Sequence, residues 1–295
     1  MKKSIIASVL IIFLGAGCAR SSNFSTTEQS SKKNVPIIAT TILPLTIAVK
    51  NIVGDAADVQ SILPSGAEPH DVVLSPRELL ILQHARIVVK LGLGLDTWAD
   101  KGLAATGEHP IVISVSDFLG IPENSDPHVW LSPRRMMEIS DKLGEKIAAA
   151  LPESTQIISE NTKRFHTKLE NIDTAYKNLA TLQEKNIVTL HNAFSYLAAD
   201  YGLHIVGVIQ DLPEDSPTPA DVARIISVLK KFPDAPLFAE AEIQPALITA
   251  IAHDANRTTH ILNPLETGSV AVGEYERVMM DNLGALQKAL SGRTR

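Results

Sequence analysis

Cysteine is almost missing from this chain: Cys18 is the only one in 295 residues. A lone cysteine forms no internal disulfide, so disulfide-stapled folds are excluded. Basic excess is missing too. With 27 Lys and Arg against 33 Asp and Glu the net charge is −6, and no basic stripe offsets it, which argues against nucleic acid as a partner. The apolar run Ile5 to Leu14 is too short to cross a bilayer in a mature protein. Familiar catalytic signatures are also missing. There is no H-E-x-x-H, no G-x-S-x-G and no Walker A motif, and Gly92-Leu93-Gly94 lacks the third glycine of a dinucleotide fingerprint. Beyond Asn34 there is no low-complexity tract and no coiled-coil heptad.

What is present begins with an address. Lys2 and Lys3 precede the apolar run, and Gly15-Ala16-Gly17 leads into Cys18. A basic segment, a short apolar segment and a small-residue cleavage site make residues 1–17 an export signal, to be set aside from fold reasoning. The cysteine at the cleavage point resembles the lipobox of bacterial lipoproteins, with Gly15 where leucine is usual. Cys18 is therefore the expected lipidation site, and the polar, Ser/Thr-rich residues 18–35 read as a flexible tether to a membrane surface. Loss of residues 1–17 removes two lysines and no acids, leaving 25 basic and 33 acidic residues and a net charge of −8.

From Pro36 onward, short β-branched runs alternate with helical patterns. Expected strands are Ile37 to Thr41, Val59 to Leu63, Ile87 to Leu91 and Ile111 to Val115. Helical patterns at Leu43 to Val53, Pro76 to His84 and Leu95 to Thr106 separate them, and another runs from Pro133 to Ala150. Residues 36–152 thus read as an N-terminal α/β lobe with a mostly parallel four-stranded sheet. From Ser154 to Leu182 there is no glycine or proline, and Phe165, Leu169, Ile172, Tyr176 and Leu179 recur at spacings of three and four. That pattern predicts one long amphipathic helix, a linking element over 153–184. The alternation then resumes with strands at Ile187 to Leu190, Ile205 to Ile209, Leu237 to Ala239 and His260 to Leu262. Helices at Ala193 to Tyr201, Pro219 to Phe232, Ile243 to Asp254 and Tyr275 to Leu290 complete a second α/β lobe over 185–295.

In open α/β sheets ligands bind beyond the carboxyl ends of the strands. That rule selects among nine histidines. His70, in AEPHDVVLSP, follows the second expected strand, and His128, in its echo DPHVWLSP, follows the fourth. In both, proline stiffens the backbone before the histidine and Ser-Pro suits the start of a helix. His191 follows the strand ending at Leu190, Glu240 the strand ending at Ala239, and Asn263 the strand ending at Leu262. A cleft between the lobes could gather all five. Three imidazoles and a carboxylate suit a divalent metal, and nitrogen-rich sites favour Zn²⁺ over the oxygen-preferring Mn²⁺, Mg²⁺ and Ca²⁺. His84, His109, His166, His204, His253 and His260 are expected to be structural or solvated.

PHDVVLSP, LGLGLDTW, DPHVWLSP, HNAF, EDSPTPAD, and FAE followed by NPL together resemble the zinc and manganese substrate-binding lipoproteins of bacterial ABC importers, the ZnuA/TroA/PsaA type. The likeness runs from about Pro36 to Leu290. It implies two lobes joined by a backbone helix and one metal between them. It further implies a monomer, anchored outside the cytoplasm, that hands its ion to a membrane permease and does no chemistry on it. By the same likeness His70 and His128 are the first-lobe ligands. His191 falls where zinc-type members carry His and manganese-type members often carry Glu. Asn263 falls where Asp is usual.

A neutral amide would leave the metal's charge uncompensated, so Glu240 is the preferred acid, as ligand or as acceptor from an imidazole. Glu68 and Glu266 rank below it, and Asn263→Asp is expected to tighten binding. The stretch from Gly107 to Asp126 holds only His109, so the long His-rich loop of many zinc-type members is missing, and Mn²⁺ or Fe²⁺ is the alternative cargo. Two other roles stand further off. A zinc-dependent hydrolase would need a base and a substrate pocket beside the metal, and a surface adhesin would need a partner-binding patch.

Overall fold

The computed structural model describes residues 35–64, 66–70, 72–210, 217–240 and 245–291. The expected signal segment, Cys18 and the tether up to residue 34 lie outside these residues, as does the start of the EDSPTPAD segment. Two four-stranded sheets, every pairing parallel, carry the fold. The first has the order β2-β1-β3-β4, from β1 (Ile37–Thr40), β2 (Asp58–Ser61), β3 (Ile87–Lys90) and β4 (Ile111–Ser114). The second repeats the plan as β6-β5-β7-β8, from β5 (Asn186–Thr189), β6 (His204–Val208), β7 (Leu237–Ala239) and β8 (Thr259–Ile261). Central strands read as buried β-branched runs because helices cover both faces. Those helices are α1 (Leu43–Val53), α2 (Pro76–His84), α3 (Thr97–Thr106), α4 (Ser116–Leu119) and α5 (Pro133–Ala150) around the first sheet. Around the second are α7 (Ser195–Tyr201), α8 (Pro219–Lys231), α9 (Pro245–Asp254) and α10 (Glu274–Ser291).

Helix starts follow the sequence signals. Ser75 and Ser132 accept backbone N–H bonds at the starts of α2 and α5, each with proline in the first helical turn, and Glu78 completes a capping box on α2. The short α4 was not anticipated; it ends at Gly120, whose left-handed backbone (φ 63°) closes it. Between the two sheets in chain order, α6 (Thr155–Lys177) is shorter than the predicted helix and continues as a 3₁₀ turn over Asn178–Thr181. Tightening of the last turn is the usual way a long helix ends. At about 1.5 Å per residue α6 spans about 35 Å.

That helix is packed on both sides. Its apolar stripe of Ile158, Phe165, Leu169, Ile172 and Tyr176 is buried, and it lies against α1 and α5 from the first half and α10 from the second. One continuous apolar core therefore runs under both sheets, with a separate cluster on the outer face of each. Polar ties cross the same seam. Arg135 and Ser132 hydrogen-bond Asp200, the Tyr176 hydroxyl donates to the Met279 carbonyl at 2.7 Å, and the Tyr275 hydroxyl donates to the Trp130 carbonyl at 2.8 Å. Among the described residues no helix is long and apolar enough to cross a membrane.

Candidate metal centre

A sheet ordered 2-1-3-4 reverses direction between strands 1 and 3, and the crevice there is where such folds take ligands. In the first sheet that crevice is filled from within. The buried Asp96 carboxylate accepts bonds from the Thr41 hydroxyl at 2.7 Å and from the backbone N–H groups of Leu91 and Gly92. Gly92 has φ 81°, and a β-carbon there would run into Ser116, so LGLGLD is a turn closed upon its own aspartate. Burial raises the Asp96 pKa, opposed by its three donors. In the second sheet the crevice holds ionisable side chains: His191 leaves β5, Glu240 leaves β7, and the His191 Nδ1 meets the Glu240 carboxylate directly. Both are buried. Glu240 thus orients the ring and turns its Nε2 toward the first sheet.

His128 arrives from the turn before α5. Its Nδ1 lies 2.7 Å from Asp126 Oδ1, which also accepts the His128 backbone N–H at 3.0 Å. Its Nε2 then points inward, 2.9 Å from Glu266 Oε1 and 3.4 Å from His191 Nε2. His70, from the loop after β2, brings its Nε2 to 3.7 Å from the same Glu266 oxygen. That nitrogen is buried without a hydrogen-bond partner, and His191 Nε2 is 3.9 Å from Glu266 Oε1. Among the described residues, His70, His128 and Glu266 form the cluster whose ligand atoms all lie within 4.8 Å of one another. Around a tetrahedral zinc with bonds of about 2.0–2.1 Å, neighbouring ligand atoms stand about 3.3–3.4 Å apart. Four of the separations, 2.9 to 3.9 Å, bracket that edge, while His191 lies outside the tight cluster of three and meets it through His128 and Glu266.

Sequence reasoning ranks Glu266 below Glu240, which it takes as ligand or as acceptor from an imidazole, and Glu240 does meet the His191 ring. The geometry puts Glu266 at the centre of the three imidazoles and puts Glu240 behind His191. Asn263 has a different task. Its Oδ1 accepts the Leu265 backbone N–H at 2.7 Å, and its backbone N–H and carbonyl both bond the Asn282 side chain at 2.8 Å. The side chain thus closes the turn that leads to Glu266, and its oxygen is engaged there. Asp126 was also missed, although a signal existed: both Pro-His turns carry an acid two residues before the histidine. In both, that acid accepts the histidine's backbone N–H, Asp126 at 3.0 Å and Glu68 at 3.4 Å.

The site holds opposite charges in a dry place. Burial disfavours the charged form of His128, yet hydrogen bonds to Asp126 and Glu266 outweigh it and raise the imidazole to about 9. Burial likewise disfavours charge on Glu266, and the neighbouring His128 and His70 outweigh it, lowering the carboxyl to about 2. The same contacts thus favour the charged form of each partner, an imidazolium facing a carboxylate.

Comparison with known proteins bears on this centre. The family model described as "Zinc-uptake complex component A periplasmic" (ZnuA) matches residues 38–289. The zinc-binding lipoprotein AdcA of Streptococcus pneumoniae is 29% identical over 308 residues, covering 96% of this chain and 60% of AdcA. The high-affinity zinc uptake system protein ZnuA of Bacillus subtilis is 27% identical over 310 residues, covering 97% of this chain and 96% of that protein. Among solved structures, the Zn(II)-bound ZnuA-like domain of S. pneumoniae AdcA superimposes with a TM-score of 0.75 at 30% identity. That match covers 87% of this chain and 99% of the domain. The chain thus spans about three-fifths of the AdcA lipoprotein it matches.

Proposed function

This chain belongs to the ZnuA family of periplasmic zinc-uptake components, and on that premise we propose that it captures a divalent transition metal, Zn²⁺ first, for delivery to an ABC-type importer. His70, His128 and His191 supply nitrogen and Glu266 supplies oxygen. The observation that carries the reading is the convergence of three Nε2 atoms on one carboxylate, with separations of 2.9 to 3.9 Å. Glu266 removes one of the ion's two charges at first hand, and Asp126 and Glu240, each on the far nitrogen of a ligand ring, compensate the rest. A donor set of three imidazoles and one carboxylate suits Zn²⁺ better than Mn²⁺, which prefers oxygen.

In this reading the protein is a carrier. The lobes are residues 36–152 and 185–295 with the linking helix between them, and lipidated Cys18 tethers a monomer outside the cytoplasm beside a membrane permease. The cargo arrives and leaves as the same ion, so no catalytic base is required. Elemental analysis of the purified protein, followed by competitive titration of Zn²⁺ against Mn²⁺, tests the proposal. One equivalent of zinc with a clear preference over manganese is expected. Protein that takes up no metal, or prefers manganese, would overturn it.

A further inference from the structure

The chain has two tryptophans, and both hydrogen-bond the backbone of a ligand-bearing turn. Trp98, at the start of α3, donates its indole N–H to the Pro69 carbonyl at 3.3 Å. Trp130, in the 3₁₀ turn before α5, donates to the Pro264 carbonyl at 2.8 Å. Pro69 is joined to His70, and Pro264 is joined to Leu265, the residue before Glu266. Each of these peptide units is also held at its other end. The His70 N–H goes to Glu68 at 3.4 Å, and the Leu265 N–H goes to Asn263 Oδ1 at 2.7 Å. In both turns the acceptor side chain belongs to the residue immediately before the proline.

Proline locks its own φ, so once the peptide plane after it is fixed, the chain has little freedom left to swing the next side chains. The second turn needs this grip most. Leu265 sits at φ 59°, a left-handed conformation unfavourable for a residue with a β-carbon. Something outside the turn must hold it there. Both indoles are themselves rigidly seated. Trp98 is buried in the outer cluster of the first half, and Trp130 in the main core, its carbonyl held by Tyr275. Trp130 also lies beside His128, ring centroids 5.1 Å apart. One indole thus stands between two ligands that come from opposite halves of the molecule.

We infer that Trp98 and Trp130 are positioning residues of the metal centre: each clamps one prolyl peptide and so aims His70 or Glu266 before the metal arrives. The inference rests on the metal-capture reading above and extends it to the rate at which zinc is released.

The test replaces only the donor atom. Growth of a tryptophan auxotroph on benzothienylalanine exchanges both indole N–H groups for sulfur at nearly constant shape. Zinc release, followed by chasing with a chromophoric chelator, is expected to speed up and affinity to fall by about tenfold for the two lost bonds. Asn263→Ala is expected to act in the same direction, and Asn263→Asp, which keeps an acceptor oxygen, to restore slow release. Tyr176→Phe supplies the control. It removes another buried bond to a backbone carbonyl, at Met279, and is expected to lower the melting temperature while zinc release stays as in the wild type. Wild-type release rates in the isostere, or equal acceleration by Tyr176→Phe, would overturn the inference while leaving metal capture intact. A wild type that binds no zinc would remove the premise.

Discussion

The two Pro-His turns share a sequence pattern and differ in how firmly they hold their histidines. His128 is seized from three sides: Asp126 on Nδ1 at 2.7 Å, the same carboxylate on its backbone, and Glu266 on Nε2 at 2.9 Å. His70 is held by its backbone, at 3.4 Å to Glu68, with the Pro69 carbonyl at 3.3 Å from Trp98. Its Nε2 stands 3.7 Å from Glu266 with no hydrogen bond, and its side chain keeps 10% exposure against 4% for His128. The difference teaches that the centre has a built side, assembled from both halves of the molecule, and a looser side facing the loop after β2. For the carrier role proposed above, the fixed side would supply selectivity and the looser His70 ring, on a backbone that is itself held, would give an ion a way in and out.

Ligand deletion should break this comparison most forcefully. His128→Ala removes the ring that meets both Glu266 and His191, and zinc affinity in a competition titration is expected to fall at least about a hundredfold, a fair share of a structural site's binding free energy. His70→Ala, where solvent can supply a replacement ligand, is expected to cost about tenfold. Equal losses would show that the two sides are equivalent.

Acidity should sharpen it next. Because the His128 imidazole is raised to about 9, zinc must expel its proton across the neutral range. Affinity is expected to rise about tenfold per pH unit from about 7 to 8.5, with about one proton released per ion at pH 7.5 by calorimetry in buffers of different ionisation enthalpy. The metal-free fold should respond with the opposite sign. A histidine raised on folding stabilises fully below its unfolded value of about 6.5, and that help is lost as pH climbs through about 9. The lowered Glu266 stabilises above about 4.5 and ceases to do so as pH falls through about 2. Metal-free melting temperature should therefore decline from pH 6.5 to 9 while zinc affinity climbs.

Much of this was legible in the sequence, for reasons that can be named. Strands came from β-branched runs between helix caps. The long helix came from a 3–4 spacing that survives as the buried stripe of α6, and both histidine-bearing turns came from Pro-His followed by Ser-Pro. The strand-exit rule also brought His70, His128 and His191 into one shortlist. It did not single out Glu266. Strand periodicity cannot say which residue of Asn263-Pro264-Leu265-Glu266 faces the cleft, because Leu265 takes a left-handed backbone and redirects the chain. That conformation depends on Asn263 and on Trp130, which lies 134 residues from Pro264. The partnership of Asp126 with His128 was missed for a different reason. It is local, two residues away, and could have been read from the acid that precedes Pro-His in both turns.

The finest distinction lies in those two acids. Asp126 and Glu68 occupy the same place in the repeated pattern, and both accept the backbone N–H of the following histidine. The shorter aspartate also reaches Nδ1 of its histidine's ring and so fixes which nitrogen faces Glu266. Carboxylate partners of this kind strengthen metal affinity by about ten- to a hundredfold. Asp126→Asn is therefore expected to weaken zinc binding by about tenfold and to move the pH-dependent rise in affinity to lower pH, since His128 loses an acceptor that stabilises its proton. Glu68→Gln, which retains an acceptor oxygen for the His70 backbone, should change affinity by no more than about twofold. Should both substitutions cost the same, tautomer control at His128 could not be what separates the two turns. The greater grip on His128 would then have to come from Glu266 alone.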